Sequence, residues 1–198
     1  MSGGTSSGKT TFLNALAEHI PQSERIITIE DAAELKLPGI SNLVTLETKH
    51  ENLDGKGGIT MTQLIKTALR MRPDRIIVGE VRGAEALDMI NAMNTGHDGS
   101  LSTGHANSSK DMLSRLELMI LSNMDLPIQS VKKLLGNSID ILIHLERHLN
   151  GKRYINSISE LLFEDDYKLR VLFQHNGTHM IQVGELVNRV KWNKYETI

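Results

Sequence analysis

Apolar residues recur at the spacing of a helix face in several separate segments of the chain. In the first segment they fall at Leu13, Leu16, Ala17 and Ile20, which matches the i, i+3, i+4, i+7 pattern. Similar apolar spacing recurs in four later segments of the chain. Together these segments predict helices over residues 8–20, 60–72, 84–94, 111–121 and 128–135.

Short β-branched runs lie between these helical segments. They are "RIITI" at 25–29, "NLVTLET" at 42–48, "RIIVGE" at 75–80 and the start of "SLSTGHA" at 100–106, whereas the polar stretch 49–58 is typical of a loop. Strands that alternate with helices favour a parallel sheet with helices on both faces. We therefore expect an α/β fold with a mostly parallel sheet.

The pattern changes after about residue 137. Two extended runs flank Asn150-Gly151, and two more flank Asn176-Gly177, a dipeptide that favours a type I′ hairpin turn. We expect a small antiparallel β segment after the α/β body. The corresponding division of the chain is an α/β domain over residues 1–146 and a hairpin-rich appendage over residues 147–198.

Composition narrows the possible functions. The 198 residues carry a net charge of −2 and only 4% aromatic side chains, so neither a basic surface nor stacking platforms indicate nucleic acid as a partner. The absence of cysteine excludes disulfides and thiolate metal sites. No apolar run approaches the roughly 18 residues of a membrane span, and no export leader is recognisable.

A phosphate-binding loop stands close to the start of the chain. Residues 3–10, "GGTSSGKT", fit the pattern G-x-x-x-x-G-K-[ST]. In this pattern backbone amides and the start of a helix cradle phosphates, Lys9 reaches the β- and γ-phosphates, and Thr10 offers a hydroxyl to Mg²⁺. The alternative is a glycine-rich turn, but an amphipathic helix follows at once. The expected nucleotide-binding residues are Gly3, Gly4, Thr5, Ser6, Ser7, Gly8, Lys9, Thr10 and Thr11.

An acidic residue follows one of the buried strands. Glu80 ends "RIIVGE", at the position where nucleotide-binding α/β sheets place the acid that orients Mg²⁺ and water. Arginines 70, 72, 75 and 82 surround this strand, and one of them could reach the transferring phosphate, with Arg82 the first candidate. The alternative for each arginine is solvated surface charge.

Two further stretches offer groups for catalysis. "TIEDAAE" places Glu30 at the end of a strand, where a carboxylate could orient the attacking water, while Asp31 and Glu34 resemble a helix capping box. "NTGHDGSLSTGHANS" carries His97 and His105, of which His105 is the better candidate for a position beside the phosphates. A zinc site is disfavoured because no cysteine or third ligand accompanies them.

These four stretches together resemble the type II/IV secretion superfamily of traffic ATPases. "GGTSSGKTT", "TIEDAAEL", "RMRPDRIIVGEVRG" and "AMNTGHDGSLSTGHANS" occur in that family's order, and the TadA/CpaF-type pilus-assembly branch is the most similar. The resemblance covers about residues 2–146. It implies a RecA-like P-loop NTPase fold with ATP and Mg²⁺ as ligands. It also implies that Glu30 handles the attacking water, Glu80 and Thr10 support Mg²⁺, His105 lies near the γ-phosphate, and arginines such as Arg82 complete the site.

The resemblance also implies a cellular role. Its members form cytoplasmic bacterial homo-hexamers that hydrolyse ATP to power pilus assembly or protein secretion. They work at the inner face of the membrane through platform proteins of the inner membrane, without nucleic acid and without a membrane anchor of their own. This chain is expected to be the C-terminal motor domain of such an ATPase.

Several positions depart from the family pattern. Ser6 stands in place of a glycine, Lys49 in place of an arginine, and Gly104 in place of a bulkier residue. Relatives also carry an N-terminal domain and a strand that leads into the phosphate loop, so we expect neighbouring strands to lack partners there and suspect a truncated chain. The alternative function is therefore a non-hydrolysing nucleotide-binding or interaction remnant.

Overall fold

A computed structural model describes residues 1–148 and 150–187. The helices are α1 Lys9–Ala17, α2 Met61–Ala68, α3 Glu85–Asn94, α4 Ser109–Leu121 and α5 Ile128–Ser138, and a 3₁₀ turn, Leu69–Met71, extends α2. The strands are β1 Ser2–Gly3, β2 Arg25–Glu30, β3 Asn42–Glu47, β4 Arg75–Val78, β5 Leu101–Ser102, β6 Ile141–Arg147, β7 Arg153–Phe163, β8 Tyr167–His175 and β9 Met180–Gln182. The predicted helices and strands are all present, with ends shifted by a few residues.

The strands form a parallel part and an antiparallel part. The parallel part has the order β3-β2-β4-β5, and the other sheet has the order β1-β6-β7-β8-β9, in which β1 is parallel to β6 and the remaining pairs are antiparallel. A single parallel bridge between Ser2 and Gly104 joins the two sheets. The predicted α/β fold is confirmed.

Alternating side chains of the parallel strands serve two separate cores. Ile27 and Ile29 of β2 face the core beneath α2 to α5, whereas Ile26 faces the smaller core beneath α1. On β4, Ile77 likewise packs in the core beneath α1, whereas the residues before and after it pack in the core beneath α2 to α5. Such burial on both faces is what continuous β-branched runs predict.

The two-residue strand β1 lies at the seam between the sheets. The Met1 amine donates a hydrogen bond to Ser102 O at 2.6 Å, and the Gly104 amide donates to Met1 O at 2.9 Å. Next to Met1, a cavity of about 180 Å³ separates β5 from β6. Strand β1 is therefore paired on both sides, with β6 on one and with the chain around Ser102 and Gly104 on the other.

Both predicted hairpins are present, but their turn type is not the predicted one. A type I′ turn at Asn176-Gly177 needs positive φ at both residues, and of the two only Gly177 has it, at 99°. The Asn176 amide donates to His179 O at 3.1 Å, so the central residues of that turn are Gly177 and Thr178, one position later than predicted. In the other hairpin the His148 amide donates to Lys152 O at 2.8 Å, so its loop is longer than the two residues of a type I′ turn. The type I′ assignment was wrong because the strands pair up to other residues than those next to each Asn-Gly dipeptide.

The proposed boundary near residue 146 falls at the end of β6. That strand pairs with β1 on one side and with β7 on the other, so one sheet runs from the phosphate loop into the C-terminal strands. The division at 146/147 therefore remains a prediction. Within the described part of the chain, no helix is both long and apolar enough to cross a bilayer.

Candidate functional site

The carboxyl ends of the parallel strands meet at one edge of the sheet, and the predicted site residues lie there. A pocket of about 480 Å³ opens at this edge. It is lined by loop residues 5–11 together with Glu30, Glu80, Arg82 and His105. Gly3 and Gly4 lie beneath the pocket, and their carbonyls accept hydrogen bonds from Lys9.

The backbone of the phosphate loop depends on its glycines at two positions. A Cβ at Gly3 would lie 2.5 Å from both Leu145 O and Ser7 Oγ, so no side chain fits between β1 and β6. Gly8 caps α1 in the left-handed conformation, with φ at 96°, and no side chain occupies this helix start. The first amides of α1 are therefore available for an anion, which the helix dipole favours.

Ser6 also has left-handed backbone geometry. Its φ is 59°, a value that glycine adopts easily and that costs other residues about 1 kcal/mol or more. This geometry agrees with the expectation that a serine at position 6 restricts the backbone of the loop.

Lys9 is held among carbonyls at the base of the pocket. Its Nζ donates to Gly3 O at 2.9 Å and to Gly4 O at 3.0 Å, and lies 3.5 Å from His105 Nδ1. Burial lowers the pKa of Lys9, the charge of Arg82 lowers it further, and Glu80 counteracts both. A polyphosphate would supply the negative charge that this ammonium otherwise lacks.

Glu80 is the centre of a charged cluster. Arg82 donates to its Oε2 at 2.8 Å, and His105 Nε2 lies 3.0 Å from its Oε1. Burial alone would raise the pKa of Glu80, but the Arg82 hydrogen bond and the nearby His105 and Lys9 outweigh it and lower the pKa. Glu80 is therefore a carboxylate at neutral pH.

Glu30 has the opposite environment. It is 4% exposed, its Oε1 accepts the Glu34 and Leu35 amides at 3.0 Å each, and its Oε2 has no hydrogen-bond partner. Burial raises its pKa, despite those two amides. The Glu30 side chain packs against Gly79, which leaves room for it. A Cβ at position 79 would lie only 2.9 Å from Glu30 Cγ.

The capping box predicted for Asp31 and Glu34 was wrong. No helix begins at this point of the described chain, because the Glu30 carboxylate takes the amides of Glu34 and Leu35. Asp31 instead accepts a hydrogen bond from Thr48 Oγ1 at 3.1 Å and lies 3.7 Å from Arg82.

The remaining candidates lie outside the pocket. Arg75 donates from Nε and Nη2 to the two carboxylate oxygens of Glu24, and Arg70 and Arg72 do not line the pocket. His97 borders the cavity beside Met1, with its Nδ1 3.1 Å from Ala92 O. Of the four arginines around the Glu80 strand, only Arg82 lines this pocket.

One residue of the pocket was missed by the sequence analysis. Arg153, at the start of β7, lines the same pocket from the side of the antiparallel strands. Arg153 lies in no motif, and it is so far from the phosphate loop along the chain that the sequence does not indicate their proximity. Only the pairing of β7 with β6 brings it to this edge.

The donors of the pocket suit Mg²⁺ bound together with phosphates rather than by protein alone. Among the described residues, no three or more His, Asp or Glu side chains could hold a metal by themselves. Magnesium usually takes one or two protein oxygens, with phosphates and water completing its shell. The Thr10 hydroxyl and the Glu80 carboxylate, whose Oε1 accepts no hydrogen bond, fit that requirement.

Comparisons with known proteins agree with this geometry. The chain is 42% identical over 160 residues to a putative conjugal transfer protein of Mycobacterium tuberculosis, a match that covers 80% of this chain and 45% of that protein. It is 38% identical over 185 residues to the type IV secretion system protein VirB11 of Brucella suis, covering 89% and 50% respectively. The chain thus spans about half the length of the curated relatives it matches.

A solved structure shows the same fold. The crystal structure of the VirB11 ATPase of Brucella suis, in complex with sulphate, aligns with a TM-score of 0.73 and 37% identity, covering 80% of this chain and 48% of that one. The family described as "Type II/IV secretion system protein" matches residues 1–187, which include every residue that the structure describes. The predicted family is confirmed: the chain belongs to the type II/IV secretion system family of traffic ATPases.

Proposed function

We propose that this chain is the motor part of a secretion or pilus-assembly ATPase and that it binds and hydrolyses Mg²⁺-ATP in the pocket around Lys9. The observation that carries the proposal is the convergence of free helix amides, a buried lysine, the buried Glu30 carboxylate and the half-buried Glu80 carboxylate on one pocket. Membership of the family supports it.

Different residues of the pocket bind the phosphates and the Mg²⁺ ion. The amides of residues 4–10 and the Lys9 ammonium hold the phosphates, and Lys9 exchanges the Gly3 and Gly4 carbonyls for phosphate oxygens. Bound Mg²⁺, held by Thr10 and Glu80, would neutralise charge on the β- and γ-phosphates. Glu80 stays ionised for this role because Arg82 and His105 lower its pKa.

Glu30 is suited to orient the attacking water and accept its proton. Its Oε2 is buried and has no hydrogen-bond partner, and burial raises its pKa toward the range in which a carboxylate is an effective base. His105, which lies between Lys9 and Glu80, contacts the γ-phosphate, and Arg82 stabilises its developing charge. Most of the catalysis comes from positioning and charge.

The larger assembly is part of the proposal. The motor works as a cytoplasmic homo-hexamer at the inner face of the membrane, reaches the membrane only through platform proteins and does not act on nucleic acid. The relatives named VirB11 and conjugal transfer protein support a role in transport between compartments.

Phosphate release tests the chemistry. The wild-type protein, Lys9→Ala, Glu80→Gln and the control Glu164→Gln, which alters an exposed carboxylate on the β7–β8 turn, are compared with saturating Mg²⁺-ATP. We expect the first two variants to lose about 100-fold or more in rate and the control to match wild type. Equal rates in all four proteins would refute hydrolysis at this site. ATP binding without turnover in wild type would instead favour the non-hydrolysing alternative.

A further inference from the structure

Arg153 reaches the pocket because of strand direction. Strand β7 is antiparallel to β6, and Arg153 pairs with Arg147 at the end of that register. The first residue of β7 therefore lies at the edge where the parallel strands β1 and β6 end. This is the edge on which the phosphate loop stands.

The stem of Arg153 lies close to the phosphate loop. A Cβ built on Gly8 would be in van der Waals contact with it, 3.4 Å from Arg153 Cδ and 4.0 Å from its Cβ, so about one carbon atom would fit between Gly8 and the stem. The guanidinium begins one atom beyond that contact and borders the pocket. Its position is therefore defined relative to the amides at the start of α1.

Arg153 is the one cation of the pocket whose charged group makes no hydrogen bond or ion pair with the described residues. Lys9 bonds to two loop carbonyls, and Arg82 bonds to Glu80 and lies near Asp31. No hydrogen bond or ion pair joins the Arg153 guanidinium to another described residue. A guanidinium without such a partner beside anion-binding amides calls for an anionic ligand.

The position of Arg153 across the sheet defines the part of the ligand that it meets. Glu30, Glu80 and His105 follow β2, β4 and β5, on one side of β1, whereas Arg153 starts β7 on the other side. On the proposed function, the γ-phosphate faces those acids and the histidine. The phosphate chain then runs over the loop toward Arg153, so that the α-phosphate is the group nearest to it.

We propose that Arg153 binds the α-phosphate of the nucleotide and that the antiparallel β segment thereby completes the nucleotide site of the same chain. This inference rests on the proposed function. The planar guanidinium offers two parallel N–H groups to two phosphate oxygens, a fork that a lysine cannot reproduce. Because ATP and ADP share the α-phosphate, Arg153 holds the nucleotide before and after hydrolysis.

Nucleotide titrations test the role of Arg153. Calorimetry measures the Kd of Mg²⁺-ATP and of Mg²⁺-ADP for the wild-type protein, Arg153→Ala, Arg153→Lys and Arg147→Ala. We expect Arg153→Ala to weaken both nucleotides by a similar factor of about 10 to 100. Arg153→Lys should recover part of that loss. Arg147→Ala, an exposed arginine directly across the hairpin that does not line the pocket, should bind like wild type.

The outcomes separate this inference from the proposed function. Loss of ATP affinity alone, with ADP unaffected, would place Arg153 at the γ-phosphate and overturn the assignment. Wild-type affinity in Arg153→Ala, with binding lost in Lys9→Ala, would overturn the role of Arg153 and leave the proposed function standing. If the wild-type protein binds neither nucleotide, both proposals fail. Thermal melting of each variant checks that it is folded, as the exposed positions of both arginines lead us to expect.

Discussion

The parallel and antiparallel parts of this molecule contribute to the same pocket in different ways. The parallel part supplies Glu30, Glu80 and His105 from strand ends, each within a recognisable motif. The antiparallel part supplies Arg153 from the start of β7 and encloses Gly3 through Leu145 of β6. The first contribution is visible in short stretches of sequence, and the second depends entirely on how strands pair.

The largest change in the free energy of unfolding is expected where the two sheets meet, on removal of the charge of the Met1 amine. In protein produced with Met1 as its first residue, burial, followed by the nearby Lys9, lowers the pKa of the Met1 amine from 8.0 to about 5. Between those pH values the unfolded chain binds a proton that the folded protein does not. The free energy of unfolding therefore rises with pH across this window, by up to about 4 kcal/mol. Nα-acetylation should remove that slope and stabilise the protein most near pH 5.

Denaturant unfolding of acetylated and free protein at pH 5, 6.5 and 8.5 measures the effect. Acetylation keeps the N–H that donates to Ser102 O, and the cavity next to Met1 has room for the added group. A stabilisation that is the same at all three pH values would show that the amine does not titrate in this window.

Gly3 tests the steric contact between the phosphate loop and β6. Gly3→Ala places a Cβ 2.5 Å from Leu145 O, a backbone atom that cannot move aside cheaply. We expect a loss of about 3 kcal/mol in the free energy of unfolding. Gly4→Ala is the matched control, because nothing lies within 4 Å of a Cβ there, and its stability should change by less than about 0.5 kcal/mol. Equal effects of the two substitutions would mean that β6 does not enclose the loop.

A substitution of Glu30 tests the parallel part of the structure alone. Its pKa is raised by burial, so the wild-type protein loses stability as pH rises through that pKa and the carboxylate ionises. Glu30→Gln keeps an acceptor for the Glu34 and Leu35 amides without the charge. We expect a gain of about 1 kcal/mol at pH 7, shrinking as the pH falls, together with a large loss of phosphate release. Thermal melts over pH and the turnover assay check both, and a variant that is less stable at pH 7 would contradict the assignment.

Ser6 should give the smallest effect. Glycine at this left-handed position removes backbone strain but adds freedom to the unfolded chain, so Ser6→Gly should gain about 0.5 kcal/mol. Thr5→Gly, one residue earlier and without positive φ, should lose about as much. Chemical denaturation of both variants compares them, and a loss in Ser6→Gly would argue against the left-handed loop.

The sequence was sufficient for the elements and for most of the pocket because periodicity and motifs are local. The expected strands and helices formed where β-branched runs and helical spacing predicted them, and Lys9, Glu30, Glu80, Arg82 and His105 do lie in one pocket. Their roles remain predictions. The β7–β8 turn was not anticipated, since residues 164–166 carry two aspartates and a glutamate but no glycine or proline.

Other features could not be predicted because they depend on tertiary contacts. Arg153 reaches the phosphate loop only through the pairing of β7 with β6. The capping box at Asp31 failed because the carboxylate of the preceding residue, Glu30, accepts the amides of Glu34 and Leu35. The turn type at Asn176 depends on strand pairing, because Asn176 pairs with His179 and the turn therefore lies one residue later than the Asn-Gly dipeptide.

The central claim is that phosphates bind to the amides of the loop between Gly4 and Thr10 while the acids of β2 and β4 face them. Titration of ¹⁵N-labelled protein with Mg²⁺-ATP, followed by amide chemical shifts, tests it most directly. The account predicts saturable shifts at Gly8, Lys9 and Thr10, and no comparable shifts at β9 or in Lys9→Ala. Saturable shifts confined to other parts of the chain, with the loop amides unchanged, would contradict it.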